Sequence, residues 1–229
     1  MNRGAGRRKI FINNKHREKF LELIDEITSI YGIEIHAYCL MGNHYHLLLR
    51  TPLGNLSDGM RHLNSNYTHF FNRSCQSDGS IFRGRYKSII VSGERYLLRL
   101  SRYIHQNPIN AGLVSHLEEY TWSSYFSYID KVSPPQWLKR DMILTAFEQI
   151  ESENSMTFRE FNENINKTEV DAFFDQAKIP PVMGDDEFKE YINNLVSGAE
   201  LSPEIIDVRY IFQIPKVEQI IKLRGQESP

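Results

Sequence analysis

Two alternating apolar stretches hinged at Gly42-Asn43 commit this chain to a β-hairpin. Glu34 to Met41 form the first predicted strand and His44 to Arg50 the second. Alternation places Glu34, His36 and Tyr38 on one face of the first strand, and Ile35 and Ala37 on the other. In the second strand it groups His44, His46 and Leu48 opposite Tyr45, Leu47 and Leu49.

Helical patterns flank the hairpin. Phe20, Leu21, Ile24, Ile27 and Ile30 predict a helix over 15–30, capped by Asn13 or Asn14 and ended by Gly32. Leu56, Met60, Leu63, Tyr67, Phe70 and Phe71 predict a second over 55–73. A strand over 85–91 and a helix over 94–107 follow, the helix ending just before Pro108. This order predicts an α+β fold of the split βαβ, or ferredoxin-like, type that lacks its opening strand. Only residues 1–11 stand where that strand belongs, and they are rich in Arg and Gly. Either they form a short strand, or the domain begins upstream of Met1.

Beyond the segment 118–125 the signals thin. Pro134-Pro135 reads as a linker, and 141–150, 157–166, 169–176 and 186–196 read as helices punctuated by Pro180-Pro181 and Gly198. The expected organisation is a domain over 1–125 and a helical extension over 126–229.

Composition narrows the class. The 229 residues, 41% hydrophobic, suit one globular domain with a smaller appendage. Two cysteines cannot make a disulfide framework and suit a reducing compartment. No apolar run approaches the roughly 20 residues of a membrane span, and the basic N-terminus lacks the apolar stretch of a signal peptide. The expected location is cytoplasmic. The net charge of −2 hides an asymmetry: residues 1–110 hold 16 Lys and Arg against 8 Asp and Glu, whereas residues 111–229 hold 11 against 21. A basic first half, in a chain whose eight histidines all lie within the first 116 residues, points to a polyanion partner.

Three patterns could carry chemistry. His44 and His46 stand two apart on a strand, so both imidazoles point the same way with Cβ atoms roughly 6–7 Å apart, within reach of one divalent cation. Tyr103 and Asn107 lie four apart on one helix face. A tyrosine can be a covalent nucleophile and an amide oxygen a third ligand. Equally, Tyr103 could be a core aromatic and Asn107 a helix cap. Arg73, Arg83, Arg85, Lys87, Arg95, Arg99 and Arg102 interleave with Tyr67, Phe71, Phe82 and Tyr86. Such a mixture can hold phosphates and stack unpaired bases, though a solvated basic face would look the same.

The segments IHAYCLMGNHYHLLLRTP (35–52), YTHFFNRSCQSDGSIFRGRYKSIIV (67–91), YLLRLSRYIHQNPINAGLV (96–114) and YTWSSY (120–125) together resemble the single-tyrosine HUH transposases, in particular the REP-associated tyrosine transposases. The resemblance covers about residues 2–125. It implies that His44 and His46 bind a divalent metal, Mg²⁺ or Mn²⁺, that Asn107 completes the site, and that Tyr103 is the nucleophile. It implies cleavage and rejoining of single-stranded or hairpin DNA through a 5'-phosphotyrosine intermediate, by a homodimer. A phenol, with a pKa of about 10, needs activation for such an attack by metal, positive charge or a base. His105 points elsewhere on its helix and is not assigned that role.

Two departures stand out. Gly42 replaces the proline usual before the Asn-His step, and only Met1-Asn2-Arg3-Gly4 matches the end of the usual opening strand. The latter predicts an exposed sheet edge that a partner chain could cover. IPKVEQIIKL resembles the opening of a helix-turn-helix domain. Three activities compete: a DNA transposase, a catalytically inactive DNA-binding remnant of one, and a metal-dependent hydrolase unrelated to DNA.

Overall fold

A computed structural model describes residues 1–151, 156–163 and 182–198. The first helix, α1 (Asn14–Tyr31), starts where Asn13 accepts the His16 N–H and stops at Gly32, whose φ of 62° suits glycine. It buries His16, Phe20, Leu23, Ile24 and Ile27. Ile30, expected in this stripe, is 61% exposed.

The hairpin is present as β2 (Glu34–Leu40) and β3 (His44–Arg50), paired antiparallel. The register shifts between Ile35 and Ala37, so His36 is an extra, bulged residue. That corrects the simple alternation. Ile35 packs in one core with Tyr38 and Leu40, while Ala37 packs in another with Cys39 and Met41.

The opening strand is short but present. β1 (Asn2–Arg3) pairs antiparallel with β3, Asn2 opposite Tyr45 and Arg3 opposite His44. On its other side runs the chain 81–87: Ala5 N–H donates to Ile81 C=O, Arg83 N–H to Arg3 C=O and Lys87 N–H to Met1 C=O, at 2.8–2.9 Å. The spatial order is therefore 81–87, β1, β3, β2, the arrangement of a ferredoxin-like sheet. β1 reaches only the first two residues of β3.

The strand expected over 85–91 is corrected. Gly84, at φ 145°, interrupts regular pairing, and the only strand here is β4 (Ile90–Val91). β4 pairs in parallel with β5 (Val182–Met183), in a sheet of its own. β2's outer edge is bonded by Trp122, Ser124 and Lys139: Leu40 N–H donates to Trp122 C=O, Ser124 N–H to Tyr38 C=O and Lys139 N–H to Ile35 C=O.

Helices cover both faces. On one, α1 and α2 (Leu56–Cys75) bury Phe20, Ile24, Ile27, Leu63 and Tyr67 against Ile35, Leu40 and Tyr45. On the other, α3 (Glu94–Asn110) sets Leu98, Leu100 and Ile104 against Ala37, Cys39 and Leu48. Contrary to expectation, α3 continues through Pro108. A proline in the last turn forfeits only one backbone bond, and Pro108 is buried. Beyond the 3₁₀ turn Leu117–Glu119 and the short α4 (Tyr125–Tyr128), α5 (Asp141–Glu151) and α6 (Phe158–Glu163) pack on α3 through Ile143, Phe158 and Phe161. α7 (Asp186–Gly198) follows β5. The expected helix over 169–176, the end of that over 157–166 and the helix-turn-helix-like IPKVEQIIKL lie outside the described residues. Among the described residues no helix is long and apolar enough to cross a membrane.

Candidate active site

Strand pleating puts His44 and His46 on one side of β3, with ring centroids 5.1 Å apart. Tyr45, between them, points into the opposite core and donates to Asn64 Oδ1 at 2.8 Å. α3 packs on the histidine side. Its Tyr103 ring meets His46 edge-on, 6.0 Å between centroids. Asn107, one turn later, is buried and donates from Nδ2 to the Tyr103 carbonyl at 2.8 Å.

Both imidazoles are held neutral at pH 7. Burial, with Arg3 nearby, lowers His44 to about 4. Burial and then the neighbouring His44 push His46 well below its ordinary value. Neutral imidazoles are the form that ligates metal. Among the described residues no three His, Cys, Asp or Glu side chains gather as a ligand set. A third protein ligand at the histidine pair would therefore be of another type, such as an amide.

Asn43 went unread in the sequence except as a turn residue. Its Nδ2 donates to Arg7 C=O at 3.2 Å, and its Oδ1 lies 2.7 Å from His44 Nδ1. Three backbone bonds hold the turn: Gly4 N–H donates to Asn43 C=O, and Ile10 N–H and Phe11 N–H both donate to Gly42 C=O.

A second network fixes the helix that carries Tyr103. His105 is buried, with Nδ1 3.1 Å from Asn162 Oδ1 and Nε2 2.9 Å from Ser124 Oγ. Asn162 Nδ2 donates to Phe158 C=O, which turns Oδ1 toward His105. Gln106 donates to Asn162 C=O at 2.6 Å. Both His105 nitrogens are occupied, so it has no free lone pair to serve as a base. Nothing in the pattern after residue 125 signalled that α6 grips α3.

The basic residues divide. Arg83, Arg85 and Lys87 are exposed along the segment beside β1, one strand away from the histidines. Arg73 and Arg95 are exposed at the ends of α2 and α3, and Arg99 is half-buried. Arg102 is a correction: it is 8% exposed, with its guanidinium 4.7 Å from the Phe161 ring centre, so it belongs to the core between α3 and α6. Tyr67 and Phe82 are also buried and cannot stack bases. Tyr86 is half-buried on the first core, its hydroxyl 3.3 Å from Ser57 Oγ.

Comparison with known proteins bears on this arrangement. Residues 2–107 match the family described as Transposase IS200 like. The chain is 20% identical over 147 residues to a Haemophilus influenzae protein named as a REP-associated tyrosine transposase, an alignment covering 56% of this chain and 84% of that one. It also aligns with the structure of a REP-associated tyrosine transposase bound to a REP hairpin, at a TM-score of 0.48 and 19% identity, covering 62% of this chain and 82% of that one. Residues 2–107 are thus similar to the IS200-like transposases.

Proposed function

We propose that this protein cleaves and rejoins single-stranded DNA through a covalent bond between Tyr103 and a 5'-phosphate. The observation that carries this reading is the meeting of Tyr103 with His46, itself paired with His44, on one face of the sheet.

The donor set fits a divalent cation, Mg²⁺ or Mn²⁺. His44 and His46 are adjacent and neutral, and Asn107 spends its Nδ2 on the helix, leaving Oδ1 as its ligating atom. Such a cation supplies neutralisation of the charge that builds on the scissile phosphate. Tyr103 Oη gives up its proton to water and bonds to phosphorus. The phosphorus–O3' bond breaks, and the departing oxygen takes a proton to become a 3'-hydroxyl. A second 3'-hydroxyl then attacks the phosphotyrosine: its oxygen loses its proton and bonds to phosphorus, the phosphorus–Oη bond breaks, and Tyr103 Oη takes up a proton. The covalent link conserves the phosphodiester bond, so no nucleotide cofactor is needed.

Arg83, Arg85 and Lys87, supported by Arg73, Arg95 and Arg99, are the proposed phosphate contacts, and Tyr86 the remaining stacking candidate. A hairpin with single-stranded flanks suits a basic strip beside a buried site. A homodimer and cytoplasmic location are further parts of this reading, the dimer resting on the resemblance alone. The test is capture of a protein–DNA adduct with Mn²⁺ and a hairpin-ended oligonucleotide. Peptide mapping should find the phosphate on Tyr103. DNA binding without any adduct would support the inactive-remnant reading instead.

A further inference from the structure

We propose that Asn43 is the positioning residue that sets the tautomer of His44 and so presents Nε2 of that ring to the cation. The inference rests on the reading of His44 as a metal ligand, but its evidence is separate. An amide side chain is ambiguous about which end faces a neighbour until one end is committed. Here Nδ2 is committed, because it donates to the Arg7 carbonyl at 3.2 Å and a carbonyl can only accept. Oδ1 must then be the atom 2.7 Å from His44 Nδ1. An amide oxygen cannot donate, so Nδ1 carries the proton. In a neutral ring, that leaves the lone pair on Nε2.

Free histidine favours the opposite tautomer, with the proton on Nε2. The bond to Asn43 therefore selects a form that the ring would not adopt unaided. It also restricts rotation of the imidazole. An outer partner of this kind typically changes metal affinity or activity by about 10–100-fold.

The chain behind Asn43 explains why the first residues matter to the site. Arg7 closes a 3₁₀ turn, Ala5–Arg7, with Gly6 and Arg7 both at positive φ, near 60°. That conformation aims the Arg7 carbonyl at Asn43. Gly4 N–H holds the Asn43 carbonyl at 2.9 Å. A Cβ at Gly4 would stand 2.3 Å from the Arg8 carbonyl oxygen, so the turn requires glycine there. The sequence Asn2 to Arg8 is thus both a strand and the brace of the histidine pair.

The test uses the full chain labelled with ¹⁵N in histidine, metal-free, at pH 7, with His44 assigned by loss of its signals in His44→Gln. The expected spectrum shows Nδ1 protonated and Nε2 bare. Asn43→Leu, close in size and without polar atoms, should shift His44 toward the Nε2–H form and weaken Mn²⁺ binding about tenfold or more. Asn43→Asp keeps an accepting oxygen and should retain the Nδ1–H form, which separates the hydrogen bond from simple misfolding. A His44 ring protonated on Nε2 in the unmodified protein would overturn the proposal. So would unchanged tautomer and unchanged Mn²⁺ affinity in Asn43→Leu. If the tautomer follows Asn43 as predicted but the unmodified protein takes up no Mn²⁺, the tautomer assignment stands and the metal reading fails.

Discussion

The Tyr103 and His46 rings meet edge to face, with centroids 6.0 Å apart, although one lies on a helix and the other on a strand. The contact requires α3 to lie on the histidine side of the sheet, and Leu98, Leu100 and Ile104 packed against Leu48 hold it there. The proposed nucleophile and the proposed ligand pair are thereby brought together by an ordinary apolar interface.

Removal of either imidazole should separate binding of metal from binding of DNA. His44→Ala and His46→Ala are expected to lose Mn²⁺ binding by at least tenfold, measured by calorimetry. Affinity for a hairpin oligonucleotide without metal should change less than threefold. Retention of full Mn²⁺ affinity by both variants would exclude this site.

Charge on the 83–87 segment should govern DNA affinity. Replacing Arg83, Arg85 or Lys87 with Ala should weaken binding. Each replacement should also flatten the dependence of log affinity on log salt, by a slope of about one for every phosphate left without its cation. Arg102→Ala should behave differently. Its guanidinium lies over Phe161, so the variant should lower the unfolding midpoint in urea while leaving the salt slope unchanged.

The link between α6 and α3 predicts a stability effect at a distance from the DNA surface. Asn162→Leu leaves the buried Nδ1–H of His105 without an acceptor and should destabilise the fold by about 1–3 kcal/mol in urea titration. It should also slow adduct formation, because α3 carries Tyr103.

Acid should weaken the protein through its buried histidines. Burial holds His105 and His44 at about 4, while the same groups in the unfolded chain titrate near 6.5. The unfolded state therefore binds more protons below that value, and stability falls as pH drops from about 6.5 to about 4. His105 alone accounts for roughly 3 kcal/mol over that interval. Added Mn²⁺ should raise the melting temperature at pH 7 by binding the folded state, and still do so at pH 5, where the buried imidazoles of the folded protein remain neutral. Thermal scans across pH, with and without Mn²⁺, measure both effects.

Much of the fold was legible because local rules sufficed. Asn13 and Gly32 mark the ends of α1, and Gly42-Asn43 marks the hairpin. The histidine pair and the Tyr103–Asn107 spacing could be read from periodicity alone. What was not legible depends on tertiary contact. One extra residue at His36 moves Ile35 and Ala37 to opposite cores, and no spacing rule reveals a bulge. The Ile90–Val91 strand chooses a partner, Val182–Met183, from far along the chain. Arg102 reads as a surface cation until Phe161 covers it, and Asn43 reads as a turn residue until Arg7 fixes its amide.

The most direct measurement compares the unmodified protein with Tyr103→Phe, which removes one oxygen. Each would be incubated with Mn²⁺ and a 5'-labelled or 3'-labelled hairpin-ended strand, then denatured and mass-analysed. The account predicts an adduct that maps to Tyr103 in the unmodified protein and retains the label of the strand 3' to the cut. Tyr103→Phe should give none while still binding the DNA within about threefold. An adduct that persists in Tyr103→Phe would contradict it.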